Sequence, residues 1–99
     1  MKVLRVSDFA LQAYRSFVNG NFNLNKDEVE KKLTRNVILG QKLGENVGGQ
    51  VWYAYGQLRI LVKNEEKITC VMNRKGVIDG WELDYDKKRL LNGILEIAQ

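Results

Sequence analysis

A chain of 99 residues, 44% hydrophobic and 28% charged, has the makings of one small domain with a single modest core, and no apolar run approaches the roughly 20 residues that cross a bilayer. With no histidine and one cysteine, a Ser/His/Asp triad, a histidine acid–base pair, an internal disulfide and nearly all familiar zinc sites are excluded. The net charge of +4 and pI near 9.3 lean towards acidic partners, with the basic residues dispersed along the chain.

Residues 1–9 alternate apolar and charged side chains and lack the continuous hydrophobic stretch of a secretory signal, so a cytoplasmic protein is expected. Ser7 is a favourable N-cap. Residues 8–19 then place Phe9, Ala10, Ala13, Tyr14 and Phe17 at helical spacing, with Gly20 as the C-cap. Asn25 followed by Glu28 has the form of a capping box, and Val29, Leu33 and Val37 mark one face of a second helix that runs to about Leu39 and ends at Gly40. The three glycines of residues 44–49 predict a mobile connection.

Residues 51–73 read as a three-stranded meander. A two-residue turn at Gly56 and Gln57 and a three-residue turn at residues 64–66 put Val51, Tyr53, Tyr55, Leu58, Ile60, Val62, Ile68, Cys70 and Met72 on one apolar face. In this register Cys70 is a buried structural thiol. The opposite face gathers Trp52, Arg59, Leu61, Lys63, Lys67, Thr69, Val71 and Asn73. After a turn at residues 73–76, residues 77–83 predict a fourth strand, with Val77, Trp81 and Leu83 inward at the cost of pointing Asp79 inward too. Asp84 or Asp86 caps a last helix, whose apolar stripe of Leu90, Leu91, Ile94, Leu95 and Ala98 is interrupted by Gly93.

These elements predict a single α+β domain over residues 1–99: an antiparallel sheet of about four strands, two N-terminal helices on one face, and a C-terminal helix. That last helix either covers the outer sheet face or leaves it open. If open, Trp52, Arg59, Leu61, Lys63, Lys67 and Thr69 form a basic, aromatic surface for a protein or RNA partner. Arg59→Glu is then expected to weaken binding with no more loss of stability than surface substitutions cause. No catalytic residue, metal or cofactor is expected. The alternatives are a metal-independent ribonuclease with Arg59 and Lys63 or Lys67 at the phosphate, and a homo-oligomer formed through the apolar part of the same face.

The runs Ser7-Asp8-Phe9-Ala10-Leu11-Gln12-Ala13-Tyr14, Tyr55-Gly56-Gln57-Leu58-Arg59-Ile60 and Ile68-Thr69-Cys70-Val71 together resemble small toxin-type domains of bacteria and their mobile elements. Those domains share the fold of the messenger-RNA-cleaving toxins and barnase-like ribonucleases. In related domains the first helix carries a His-Ala-x-x-Arg motif, whose positions here hold Phe9 and Ala13. The resemblance, over residues 7–73, implies a toxin-like scaffold without that chemistry, in a small regulatory protein of bacterial, phage or prophage type.

Overall fold

The computed structural model describes residues 2–18, 23–74 and 76–97. A short strand β1 (Arg5–Val6) leads into helix α1 (Asp8–Phe17), which starts where the Ser7 hydroxyl accepts a bond from the Ala10 N–H at 3.1 Å. Its buried stripe is Ala10, Leu11 and Tyr14, so the expected face is rotated: Phe9 is 68% exposed and Phe17 44%. The C-cap is Val18, whose N–H bonds to the Tyr14 carbonyl. The glycine expected in that role, Gly20, lies outside the described residues.

Helix α2 (Lys26–Leu39) begins as expected, with the Asn25 side chain accepting from the Glu28 N–H at 2.9 Å. It buries Val29, Leu33 and Leu39, and it also holds the edge of the sheet. The Glu30 carboxylate accepts from the Val6 N–H at 2.8 Å and Thr34 Oγ1 from the Leu4 N–H at 2.8 Å. These side chains satisfy the outward donors of β1, an edge that would otherwise invite pairing with another chain.

Four further strands follow: β2 (Gln41–Asn46), β3 (Gln50–Tyr55), β4 (Leu58–Lys63) and β5 (Lys67–Asn73). The sheet order is β1-β5-β4-β3-β2, with β1 parallel to β5 and the remaining pairs antiparallel. Both expected meander turns are present. The connection expected at residues 44–49 is instead the end of an edge strand, residues 41–46, paired with β3 and followed by a turn. Its glycines serve defined geometry: Gly44, at φ 132°, stands beside an irregularity in the pairing, while Gly48 and Gly49, at φ 82° and 74°, make the turn into β3.

The β3–β4 register agrees with the expected faces, pairing Val51 with Val62, Tyr53 with Ile60 and Tyr55 with Leu58. On β5 the expectation fails halfway along. Val62 pairs with Ile68 but Leu61 pairs with Cys70, so Thr69 is an extra residue and the alternation inverts beyond it. Val71 therefore enters the core at 2% exposure, while Cys70 and Met72 move to the outer face. Thr69 Oγ1 is buried without a hydrogen-bond partner among the described residues. Thr69→Val is accordingly expected to raise the urea midpoint, with a gain of about 1 kcal/mol, because the isosteric methyl removes an unsatisfied polar atom.

Helices α1 and α2 cover one sheet face, enclosing Val6, Ala10, Tyr14, Val29, Leu33, Ile60, Ile68 and Val71. Residues 77–83 form no strand. Asp79 and Gly80 make a turn in which the Trp81 N–H reaches the Ile78 carbonyl at 3.1 Å, and Asp79 is exposed rather than inward. The Trp81 indole donates to the Leu39 carbonyl at 3.1 Å and stands edge-on to Tyr55, ring centroids 5.6 Å apart.

Helix α3 (Tyr85–Ile94) is capped by Asp84, whose carboxylate accepts from the Lys87 N–H at 3.0 Å. Its Leu91, with Leu95 just beyond, packs on Leu39 of α2, joined by Tyr55, Leu83 and Ile97 in a second small core. The C-terminal helix thus docks on α2 and does not cover the outer sheet face. Only part of its expected stripe is used, since Leu90 and Ile94 remain 63% and 53% exposed.

Candidate binding face

Trp52 and Leu61 are direct cross-strand neighbours on β3 and β4, in the middle of the outer face. Strand β4 is the central strand of five. A covered face would bury Leu61 there completely, yet both side chains are only half-buried. The bulge at Thr69 adds Cys70 opposite Leu61 and Met72 opposite Arg59. Leu43, 43% exposed, approaches from the irregularity in β2. The result is an apolar centre of Leu43, Trp52, Leu61, Cys70 and Met72. A groove of about 290 Å³ runs along Leu43, Trp52 and Met72 of this centre, bounded also by Glu45, Arg59 and Arg74.

The six residues singled out by sequence take different places. Trp52 and Leu61 are in the centre. Lys63 and Lys67 face each other across the end of the β4–β5 pair, both exposed, and neither forms a salt bridge among the described residues. Like charges placed opposite one another on a sheet are destabilising. They make that end of the face a positive pole. Thr69 contributes the bulge.

Arg59 corrects the expectation of an open arginine: it is only 7% exposed. Its guanidinium donates to the carbonyls of Gly56 at 2.8 Å, Leu58 at 3.2 Å and Gly76 at 3.3 Å. It therefore fastens the segment after β5 onto the β3–β4 hairpin, and only part of it borders the groove. Its place in the basic surface is taken by Arg74, which is exposed. Leu43, Cys70 and Met72 were missed by sequence reading, because their outward placement depends on two pairing irregularities without a local sequence mark.

Burial pushes the Cys70 thiol above its ordinary pKa, which lowers its thiolate fraction and its reactivity. Among the described residues no group of three or more His, Cys, Asp or Glu side chains could hold a metal ion. No helix there is long and apolar enough to cross a membrane.

The model of the YorE family matches residues 4–93, taking in all five strands and most of α3. The chain belongs to the YorE family. Its sequence is 29% identical over 96 residues to the SPbeta prophage-derived protein YorE of Bacillus subtilis strain 168, an alignment that covers 92% of this chain and 78% of that protein. No solved structure matches the chain.

Proposed function

We propose that this chain is a small non-catalytic binding protein of phage or prophage type, acting in the host cytoplasm, that holds a protein partner on the outer face of its sheet. The observation that carries the reading is the partial exposure of Trp52 and Leu61 at the centre of a five-stranded sheet. The phage setting follows from the prophage origin named for its relative.

Composition favours protein over RNA. Single-stranded nucleic acid is held on successive aromatic platforms, and among the described residues this face has one aromatic side chain, Trp52, with aliphatic and sulfur-bearing neighbours. Trp, Met and Arg are enriched at protein interfaces, and a buried tryptophan is a frequent anchor. The exposed cations Lys63, Lys67 and Arg74 suit a partner with acidic groups around an apolar centre.

The test is capture from a lysate of a prophage-bearing bacterium, with and without nuclease, by the wild-type protein and by Trp52→Ala. A specific protein that survives nuclease and binds the variant roughly 30-fold more weakly, about 2 kcal/mol, is expected. Equal retention by both proteins would remove the outer face from the interface. Recovery of RNA, with proteins lost on nuclease treatment, would replace the protein partner by RNA. Release of 2′,3′-cyclic phosphate ends from that RNA would replace binding by ribonuclease activity.

A further inference from the structure

On the other side of the molecule, a cleft of about 430 Å³ opens between the C-terminal end of α1, the second half of α2, the turn at Gly56 and Gln57, and the first turns of α3. Among the described residues, three cations, Lys32, Arg35 and Lys88, line it together with Tyr14, Asn36 and Tyr55, and no carboxylate does.

Arg35 is the unusual member. It is 8% exposed, and its side-chain bonds go to neutral groups: Nε to Asn36 Oδ1 at 3.1 Å and Nη1 to Asn92 Oδ1 at 2.9 Å. A buried charge is ordinarily paired, because removing it from water is expensive. Here two asparagine carbonyls orient the guanidinium but do not neutralise it. Asn36, whose side-chain carbonyl holds Nε, is itself only 3% exposed.

Lys88 stands 5.7 Å from the centre of the Tyr55 ring and forms no salt bridge among the described residues. It also lies in the N-terminal part of α3, the end of a helix that favours negative charge. Arg35 and Tyr55 are near enough to act on the Tyr14 hydroxyl: burial raises its pKa most, the Arg35 charge lowers it and Tyr55 raises it. The C-terminal ends of α1 and α2 lie beside the cleft and carry roughly half a negative charge each. Against the two charges of Arg35 and Lys88 this leaves a surplus of about one.

We propose that this cleft is an anion site for the phosphate group of a small ligand, held by the Arg35 guanidinium and the Lys88 ammonium with the Asn36 amide and the Tyr14 hydroxyl as neutral donors. Phosphate supplies the missing counter-charge and several acceptor oxygens, and a guanidinium fork suits it geometrically. The cleft has room beyond the phosphate. Its source is therefore either free phosphate or a phosphorylated small molecule such as a nucleoside monophosphate.

The test is titration of the labelled protein by amide NMR with inorganic phosphate, adenosine 5′-monophosphate and adenosine. Saturable shifts at Tyr14, Arg35, Asn36, Tyr55 and Gly56 are expected with millimolar phosphate or with the nucleotide, and not with adenosine. Tighter binding of the nucleotide assigns the phosphorylated source, and equal binding assigns free phosphate. Lys88→Gln, at a half-buried position on the helix surface, is expected to weaken the ligand about tenfold, the effect of losing one charge-assisted bond. Arg35→Gln is expected to abolish the shifts. If that variant fails to fold, Lys88→Gln carries the test. The proposal is overturned if neither phosphate source shifts these amides, if adenosine shifts them equally, or if Lys88→Gln binds as the wild type does. The outer face is untouched by either variant, so failure here leaves the protein-binding reading standing, and the converse holds.

Discussion

Arg59→Glu is expected to cost about 4 kcal/mol or more, a large part of the roughly 5–15 kcal/mol that holds a small domain folded. The substitution replaces a cation bonded to three backbone carbonyls by an anion facing the same oxygens at a site 7% exposed to water. The Gly76 carbonyl, which ties the chain beyond β5 to the hairpin, loses its donor. Arg59→Met separates the contributions. It keeps the aliphatic stem, removes the donors, and is expected to cost about 2 kcal/mol, since the freed carbonyls can recruit water. Urea unfolding of the two variants beside the wild type gives the comparison. A glutamate variant as stable as the wild type would show that Arg59 is a surface cation after all and return it to the binding face. For the same reason, lost binding in Arg59→Glu cannot be credited to contact, and the face is better tested at Trp52.

What could be read from the chain was whatever short-range chemistry decides. The caps at Ser7 and Asn25 are bonds across three residues, and both formed. The turn at Gly56 lies between β3 and β4, two strands whose alternation is unambiguous. Strand β5 is different: Ile68, Thr69, Cys70, Val71 and Met72 are apolar enough to alternate acceptably in either phase. Only pairing with β4, through the extra residue Thr69, decides that Val71 goes in and Met72 goes out. Strand β2 was hidden by its glycines, which an edge strand tolerates at an irregular pairing and at its turn. Trp81 spaced four residues after Val77 satisfies strand alternation equally well, but Asp79 and Gly80 turn the chain between them.

The candidate sites were less legible for the same physical reason. Arg59 is buried because of a carbonyl 17 positions away, and Arg35 is oriented by Asn92, 57 positions away. Neither partner is marked by any local pattern. Trp52 and Leu61 were identifiable since their placement needs only the hairpin between them, the most local pairing in the sheet. The two faces also do different things with charge. On the outer face, exposed lysines stand at one end of an apolar centre; in the cleft between the helices, an arginine is buried with no counter-charge among the described residues. The first arrangement suits a broad partner and the second a compact anion.

Gly40→Ala is expected to destabilise by about 3 kcal/mol, although alanine is ordinarily the easier residue to order. Gly40 has φ −78°, a value open to any L-residue, so its backbone conformation is not the obstacle. Space is. An added Cβ would lie 2.7 Å from the Ala54 carbonyl oxygen and 2.9 Å from that of Asn36, both backbone atoms with no rotamer to escape into. Gly40 is the place where α2 closes onto β3, and Gln41, the next residue, pairs with Ala54. To admit the methyl, the end of α2 must lift from the strand, disturbing Leu39 and the small core it shares with α3. Gly93→Ala supplies the contrast on the exposed side of α3, where an added Cβ meets nothing within 4 Å. There the helix-propensity gain of up to about 1 kcal/mol is unopposed. The same chemical change should therefore move the urea midpoint down at position 40 and up at position 93. A Gly40→Ala protein at least as stable as the wild type would mean that α2 does not sit this close to β3, and with it the shape of the cleft beside Arg35 would have to be redrawn.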